Sequence, residues 1–269
     1  MIPIKTATEI ESMRAACRVA ATILDEVAGR VAEGVSTYDL DQFAKELFEK
    51  YGAKSACHGF RHGSRVFPAY TCLSVNEEVV HGIGSPKRRL NNGDNIKVDV
   101  SLYFEGFCGD TAKTVIVGQP DPKMSKLVAD TEAALYKGID QAKPGNRVGD
   151  ISYSIQKFIE SRGYSIVRDF VGHGVGRTMH EEPQIPNFGR PGTGPKLQPG
   201  MTLAIEPMVN MGKWEVDVAS DGWTAVTRDG KPAAHFEHTI LVTEGDAEIL
   251  TRAAIPQPER IQANILQNM

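Results

Sequence analysis

The chain has 269 residues, 41% of them hydrophobic and 24% charged, with a formal net charge of −4. That length carries one large mixed domain or two small ones, and the mild acidity argues against nucleic acid or an anionic membrane as the main partner. Cys17, Cys57, Cys72 and Cys108 lack C-x-x-C spacing, and no signal-peptide core or membrane-length apolar run is present, so a reduced cytoplasmic protein is expected rather than a zinc knuckle or disulfide scaffold.

An amphipathic helix is predicted from about Thr8 to Val31, capped by Thr8 with Glu11 three residues on, its stripe formed by Ile10, Met13, Cys17, Ala20, Leu24 and Val27. A second helix runs from Ser36 or Thr37 to Tyr51 and stops at Gly52. Short strand-like runs follow, Tyr70 to Val75 and Val79 to His81. Then comes KVDVSLYFEGFCGDTAKT, Lys97 to Thr114, which alternates as a β-hairpin about Glu105-Gly106. Asp99 and Asp110 sit inside its strands, where aspartate is depleted. Folding brings the two carboxylates together, and their repulsion calls for a cation between them. Lys97 is the basic residue on the face of Asp99.

After Pro120 and Pro122 the pattern restarts, with helices from about Ser125 to Ala142 and from Gly149 to Ser161. The second of these repeats the earlier one: Gly34, Asp39, Leu40, Leu47, Phe48, Glu49 and Gly52 correspond to Gly145, Asp150, Ile151, Phe158, Ile159, Glu160 and Gly163 at a constant offset. GDNIKVD, ending at Asp99, resembles GMTLAIE, ending at Glu206. Asp110 precedes Gly118 by the same interval as Glu237 precedes Gly245. The expected fold is therefore α+β, residues 1–269 forming a single domain. Its pseudo-twofold halves, roughly 8–118 and 124–250, face each other across one site. The polar tail after Thr251 is expected to be peripheral.

Each half then supplies two carboxylates. A single one reads equally well as an edge residue, but four buried together need counter-ions, and no comparable set of strand lysines or arginines exists. Asp99, Asp110, Glu206 and Glu237 with one imidazole suit a pair of divalent ions about 3.5–4 Å apart. His173, in FVGHGVGR, is the best imidazole, because Gly172 and Gly174 allow close backbone approach. An anion-binding glycine loop is the other reading of GHGVG, but its spacing fails the dinucleotide fingerprint. His81 and His180 read as surface histidines on their own; beside a metal centre either could bind a substrate amide or steady an oxyanion. His58, His62, His235 and His238 carry weaker cases, and His238 should point away from Glu237. Phe60, Phe67, Tyr70, Cys72, Met179 and Trp223 flank these loops. They would shape a pocket for an apolar, unbranched side chain such as a thioether.

Taken in order, NEEVVHGI, KVDVSLYFEGFCGDTAKT, VGHGVGRTMHEEPQI, MTLAIEPMVN, DGWTAVT and FEHTILVT resemble the type I methionine aminopeptidases, metallopeptidases of the pita-bread fold, over nearly the whole chain. The resemblance implies an antiparallel sheet with helices on its outer face and a dinuclear metal site between the halves. It implies that Asp99 and Asp110 bind metal, that Asp110 and Glu237 bridge two ions, and that His173 and Glu206 complete one shell. The implied ions are cobalt, manganese, iron or zinc. Glu206 would shuttle protons, His180 would stabilise the tetrahedral intermediate and His81 would contact the scissile amide. Phe60, Phe67, Cys72, Met179 and Trp223 would hold methionine.

The implied substrates are N-termini of nascent polypeptides with a small second residue, the ribosome being a candidate partner. Nucleic acid and membrane are not expected partners, and a monomer is expected. The chain departs from the family pattern at an inserted HGSR before Phe67 and at Met179, where an aromatic is common. The interval from His180 to Glu206 is too short for the helical insertion that marks the type II branch, and the lack of a cysteine-rich N-terminal extension resembles bacterial forms more than eukaryotic ones. Alternative readings are a sister Xaa-Pro peptidase, a non-catalytic binding module that retains the fold, and a mononuclear iron oxygenase. The last would leave three carboxylates without a role.

Overall fold

The computed structural model describes residues 2–252; the tail expected to be peripheral lies outside them. Helix α1 (Ala7–Ala28) is capped by Thr6, not Thr8: Thr6 Oγ1 accepts from Glu9 N, and the Glu9 carboxylate accepts from Thr6 N. Thr6/Glu9 and Thr8/Glu11 have the same capping-box spacing. Tertiary contacts place the helix start at the earlier pair, since Lys5 N donates to Gly200 O and Lys5 Nζ pairs with Glu181 at 2.6 Å. Helix α2 (Thr37–Lys50) opens on a Ser36/Asp39 capping box. Helices α3 (Pro122–Ile139) and α4 (Val148–Ser161) follow the midpoint of the chain.

The main sheet has nine strands: β1 (Lys54–Ser55), β2 (Cys72–Val75), β3 (Asn95–Phe104), β4 (Phe107–Ile116), β5 (Val171–Gly174), β6 (Glu181–Pro186), β7 (Thr202–Ile205), β8 (Glu237–Leu241) and β9 (Glu248–Ile249). Their order is β1-β3-β4-β8-β7-β5-β6, with β2 also on β3 and β9 on β8, and every pairing is antiparallel. The β3–β4 turn has φ 49 at Glu105 and φ 82 at Gly106, both left-handed, as a two-residue turn matched to strand twist requires.

Period-two alternation sorts the faces of this sheet. On β3, Ile96, Val98, Val100 and Leu102 pack with Leu24, Leu40, Leu47 and Phe48 of α1 and α2. On β7 and β8, Leu203, Ile205 and Ile240 pack with Leu135, Ile151 and Ile155 of α3 and α4. The helices thus cover one face, and Asp99, Ser101, Asp110 and Glu237 stand on the other. Where β4 meets β8, threonine hydroxyls join the halves: Thr111 Oγ1 donates to Glu237 O at 3.0 Å and Thr239 Oγ1 to Asp110 O at 2.7 Å. Among the described residues no helix is long and apolar enough to cross a membrane.

Candidate metal centre

Register brings the carboxylates into one patch. Asp99 and Glu237 each lie opposite Ala112, and Asp110 lies opposite Ser101 one step along the same face. Asp99 and Asp110 are therefore diagonal neighbours rather than a direct pair. Glu206 follows β7 immediately after the Ile205–His238 pair. Ala204 pairs with both His173 and Thr239, so small residues floor the space between the ligands. Gly172 and Gly174 are required by close approach: a Cβ there would lie 2.4 Å from Ala204 O and 2.3 Å from Glu182 O.

Ligand atoms of Asp110, His173 and Glu237 lie within 4.8 Å of one another. His173 Nε2 is 3.8 Å from Asp110 Oδ2 and 3.5 Å from Glu206 Oε1. Its Nδ1 is 2.9 Å from Gly174 O, and a carbonyl only accepts. Nδ1 therefore carries the proton and Nε2 keeps a lone pair for a metal. Asp110 Oδ1 accepts from Ser101 Oγ at 2.6 Å. Asp99 Oδ1 is buried with no hydrogen-bond partner among the described residues.

Burial, reinforced by Asp110 and Glu206, holds Asp99 well above the ordinary carboxylate range. Burial and Asp110 do the same to Glu206, and Glu237 is raised by burial with Asp110, Glu206 and Asp99 around it. Asp110 is pushed up to about 6 by burial, against its bond from Ser101. Lys97 does not relieve this crowding. It is buried on the inner face, but its Nζ donates to Asn76 O at 2.8 Å and Ala233 O at 3.1 Å, and burial pulls it down to about 7. Four crowded oxygen donors, one oriented imidazole and an unsatisfied carboxylate oxygen fit hard or borderline divalent cations.

These residues floor a cavity of about 500 Å³ whose walls include Cys57, Phe60, Phe67, Cys72, His81, Phe170, Met179, His180 and Trp223. Phe60, Phe67 and Trp223 meet edge to face. Tyr70 lies outside this lining; its ring stacks on His58 at 4.4 Å. The HGSR insertion closes as a small hairpin, Arg61–His62 with Arg65–Val66. Phe67 N donates to Phe60 O at 2.8 Å, so the hairpin leaves the two aromatics side by side, and Arg65 Nη1 reaches Gly222 O at 2.9 Å. Met179 is buried, its N–H donating to Tyr103 Oη at 3.1 Å.

His180 stands at the rim, its ring 4.5 Å from that of His173 and edge-on to Phe60. Burial of its packed side and His173 beside it lower its pKa. His81 has φ 60, a strained left-handed backbone for a non-glycine residue. Its ring packs edge-on to Phe170 at 5.2 Å, and burial with His180 nearby takes it to about 4. Both imidazoles are neutral at pH 7 and can donate or accept one hydrogen bond per nitrogen. His238 points to the far side of the sheet, its Nδ1 2.9 Å from Thr251 Oγ1. Sequence reasoning missed Cys57 and Phe170 as wall residues; His235, given a weaker case there, has its Nε2 3.7 Å from Glu206 Oε2.

Residues 11–244 match metallopeptidase family M24. The methionine aminopeptidase of Clostridium acetobutylicum is 47% identical over 251 residues, 93% of this chain and 99% of that protein. The crystal structure of methionine aminopeptidase from Thermotoga maritima aligns with a TM-score of 0.89 at 50% identity, covering 94% of this chain and 100% of that one. Prolidase from Pyrococcus furiosus shares the fold, with a TM-score of 0.75 at 24% identity, and this chain covers 66% of it.

Proposed function

The chain belongs to metallopeptidase family M24, and from that premise we propose that it removes the N-terminal methionine of nascent polypeptides by hydrolysing the first peptide bond. The observation that carries this reading is one cavity with a floor of four carboxylates and an imidazole, and with walls of aromatic rings and sulfur. Full-length similarity to methionine aminopeptidases supports it, whereas prolidase shares the architecture alone.

In this reading Asp99, Asp110, His173, Glu206 and Glu237 hold two divalent ions drawn from cobalt, manganese, iron or zinc. When bound, such ions lower the pKa of water and polarise the scissile carbonyl. Phe60, Phe67, Cys72, Met179 and Trp223 take up the methionine side chain, for which sulfur and ring edges are good partners. Glu206, whose carboxyl is raised by burial, accepts a proton from the attacking water and passes it to the leaving amine. His180 donates a hydrogen bond to the developing oxyanion, and His81 binds the scissile amide. Both act as neutral donors, so neither adds a positive charge beside the metal.

A small second residue is preferred. Residues 1–269 act as one catalytic domain with halves of roughly 8–118 and 124–250. The protein is a monomer that meets its substrates in the cytoplasm, at or near the ribosome.

The test is methionine release from Met-Ala-Ser by metal-loaded protein. Release that stops on chelation and fails with N-acetylated peptide supports the proposal. No release, or release indifferent to chelator, overturns it.

A further inference from the structure

Glu206 lies between two imidazoles. Oε1 faces His173 Nε2 at 3.5 Å, and Oε2 faces His235 Nε2 at 3.7 Å. The two histidines differ in their commitments. His173 spends its Nδ1 proton on Gly174 O and belongs to the ligand cluster. His235 is 1% exposed, is absent from the cavity lining, and has no hydrogen-bond partner for either ring nitrogen among the described residues.

The backbone of His235 is fixed independently of its ring. It sits in the strand Ala233–His235, opposite Met208. His235 N donates to Thr114 Oγ1 at 2.9 Å, and Thr114 Oγ1 donates back to His235 O at 2.7 Å. Asn95 Nδ2 and Lys97 Nζ both donate to Ala233 O, at 2.8 and 3.1 Å. The ring is thus delivered behind Glu206 by a strand held from both sides. A buried ring N–H without an acceptor is costly. The Glu206 carboxylate is the acceptor it faces, and a side-chain adjustment of under about 1 Å brings it to the usual 2.7–3.2 Å.

We propose that His235 is a positioning residue for Glu206: its Nε2–H donates to Glu206 Oε2, fixing the carboxylate plane so that Oε1 alone is turned toward His173 and the reacting centre. The inference rests on the proposed function and deepens it. Without that bond the carboxylate rotates about its terminal torsion, which is broad for glutamate, and both metal binding and proton transfer lose their aim. Partners that orient a ligand are typically worth about 10–100-fold in affinity or activity.

The test compares His235→Leu with His235→Gln, whose side-chain amide keeps a donor, using kinetics on Met-Ala-Ser and calorimetric titration of manganese into metal-free protein. Expected for His235→Leu is a kcat lower by about 10–100-fold with KM within about twofold, and manganese affinity weaker by about 10-fold. His235→Gln recovers most of both. If His235→Leu does not fold, His235→Met serves as the donor-free variant. Wild-type kcat and manganese affinity in the donor-free variant overturn the inference, as does a His235→Gln variant impaired to the same degree. Failure of wild-type protein to release methionine strikes the parent reading instead, and the manganese titration then still judges His235.

Discussion

In the first half of the molecule Asp99 and Asp110 stand on one hairpin of two ten-residue strands joined by a two-residue turn. In the second half His173, Glu206 and Glu237 come from three separate strands of four or five residues, Glu206 standing just past the end of its strand. The hairpin fixes its carboxylates by local register, and Ser101 holds one oxygen of Asp110. In the other half Glu206 is flanked by neighbours brought from elsewhere, His173 on one side and His235 on the other. The difference is that register alone sets the carboxylates of one half, whereas Glu206 in the other stands past its strand end among side chains from separate strands.

The largest expected effect tests that division. Glu206→Gln should lower turnover of Met-Ala-Ser by about three orders of magnitude, the middle of the range for a general acid–base group. The metal-free protein should melt at the wild-type temperature or above, because a crowded carboxylate has been removed. Retained turnover would move proton transfer to the hairpin half and dissolve the contrast.

The crowding itself predicts a proton count. Asp110 is raised to about 6 by burial, and Asp99, Glu206 and Glu237 are held well above the ordinary carboxylate range by burial and by neighbouring carboxylates. The metal-free centre therefore retains carboxyl protons near neutrality, whereas its histidines, lowered by burial, are already neutral. Metal needs ionised carboxylates, so binding at pH 7 should release protons and affinity should weaken as pH falls. Calorimetry in buffers of different ionisation enthalpy measures the release. Proton uptake, or none, would contradict the assigned crowding.

A smaller effect separates the helices of the two halves. At equivalent places in the repeat stand Asp41 and Ser152. Asp41 is buried and accepts from Tyr70 N, Thr71 N and Thr71 Oγ1, pinning the segment that leads into Cys72 and the cavity wall. Ser152 only donates to Val148 O within its own helix. Asp41→Ala should destabilise by about 2 kcal/mol in urea unfolding, while Ser152→Ala stays within about 0.5 kcal/mol. Equal losses would erase the asymmetry. Ser101→Ala is expected to cost about 1 kcal/mol from the lost bond to Asp110, read from the same unfolding curves.

How much of this was legible in the sequence follows the same contrast. The hairpin is contiguous, so period-two alternation around Glu105-Gly106 displayed both aspartates and their shared face. Alternation alone does not give the diagonal offset between them; that follows from the turn, which sets Phe104 opposite Phe107 and hence Asp99 opposite Ala112. The second half became readable only through the repeat, which carried the hairpin's logic to Glu206 and Glu237. His235 carried only a weak case in the sequence because its position near Glu206 comes from a long-range pairing, Met208 with His235, that no local pattern encodes. Lys97 was on the anticipated face, yet its amine is held by the backbone carbonyls of Asn76 and Ala233. Cys57 and Phe170 reach the cavity from loops, where neither helical nor strand periodicity applies. The cap of α1 was misplaced by two residues because the docking of Lys5, not capping propensity, fixes where the helix begins.

The central claim is that both halves contribute ligands to one catalytic metal centre. It is tested most directly by metal analysis of the purified protein, paired with methionine release per bound ion, for wild type, Asp99→Asn and Glu237→Gln. Wild-type protein should bind two ions at saturation and lose turnover in step with metal removal. Each variant, altered in a different half, should bind fewer ions or bind them more weakly, with release falling in proportion. Full release from protein stripped of metal, or unchanged metal content in both variants, would contradict it.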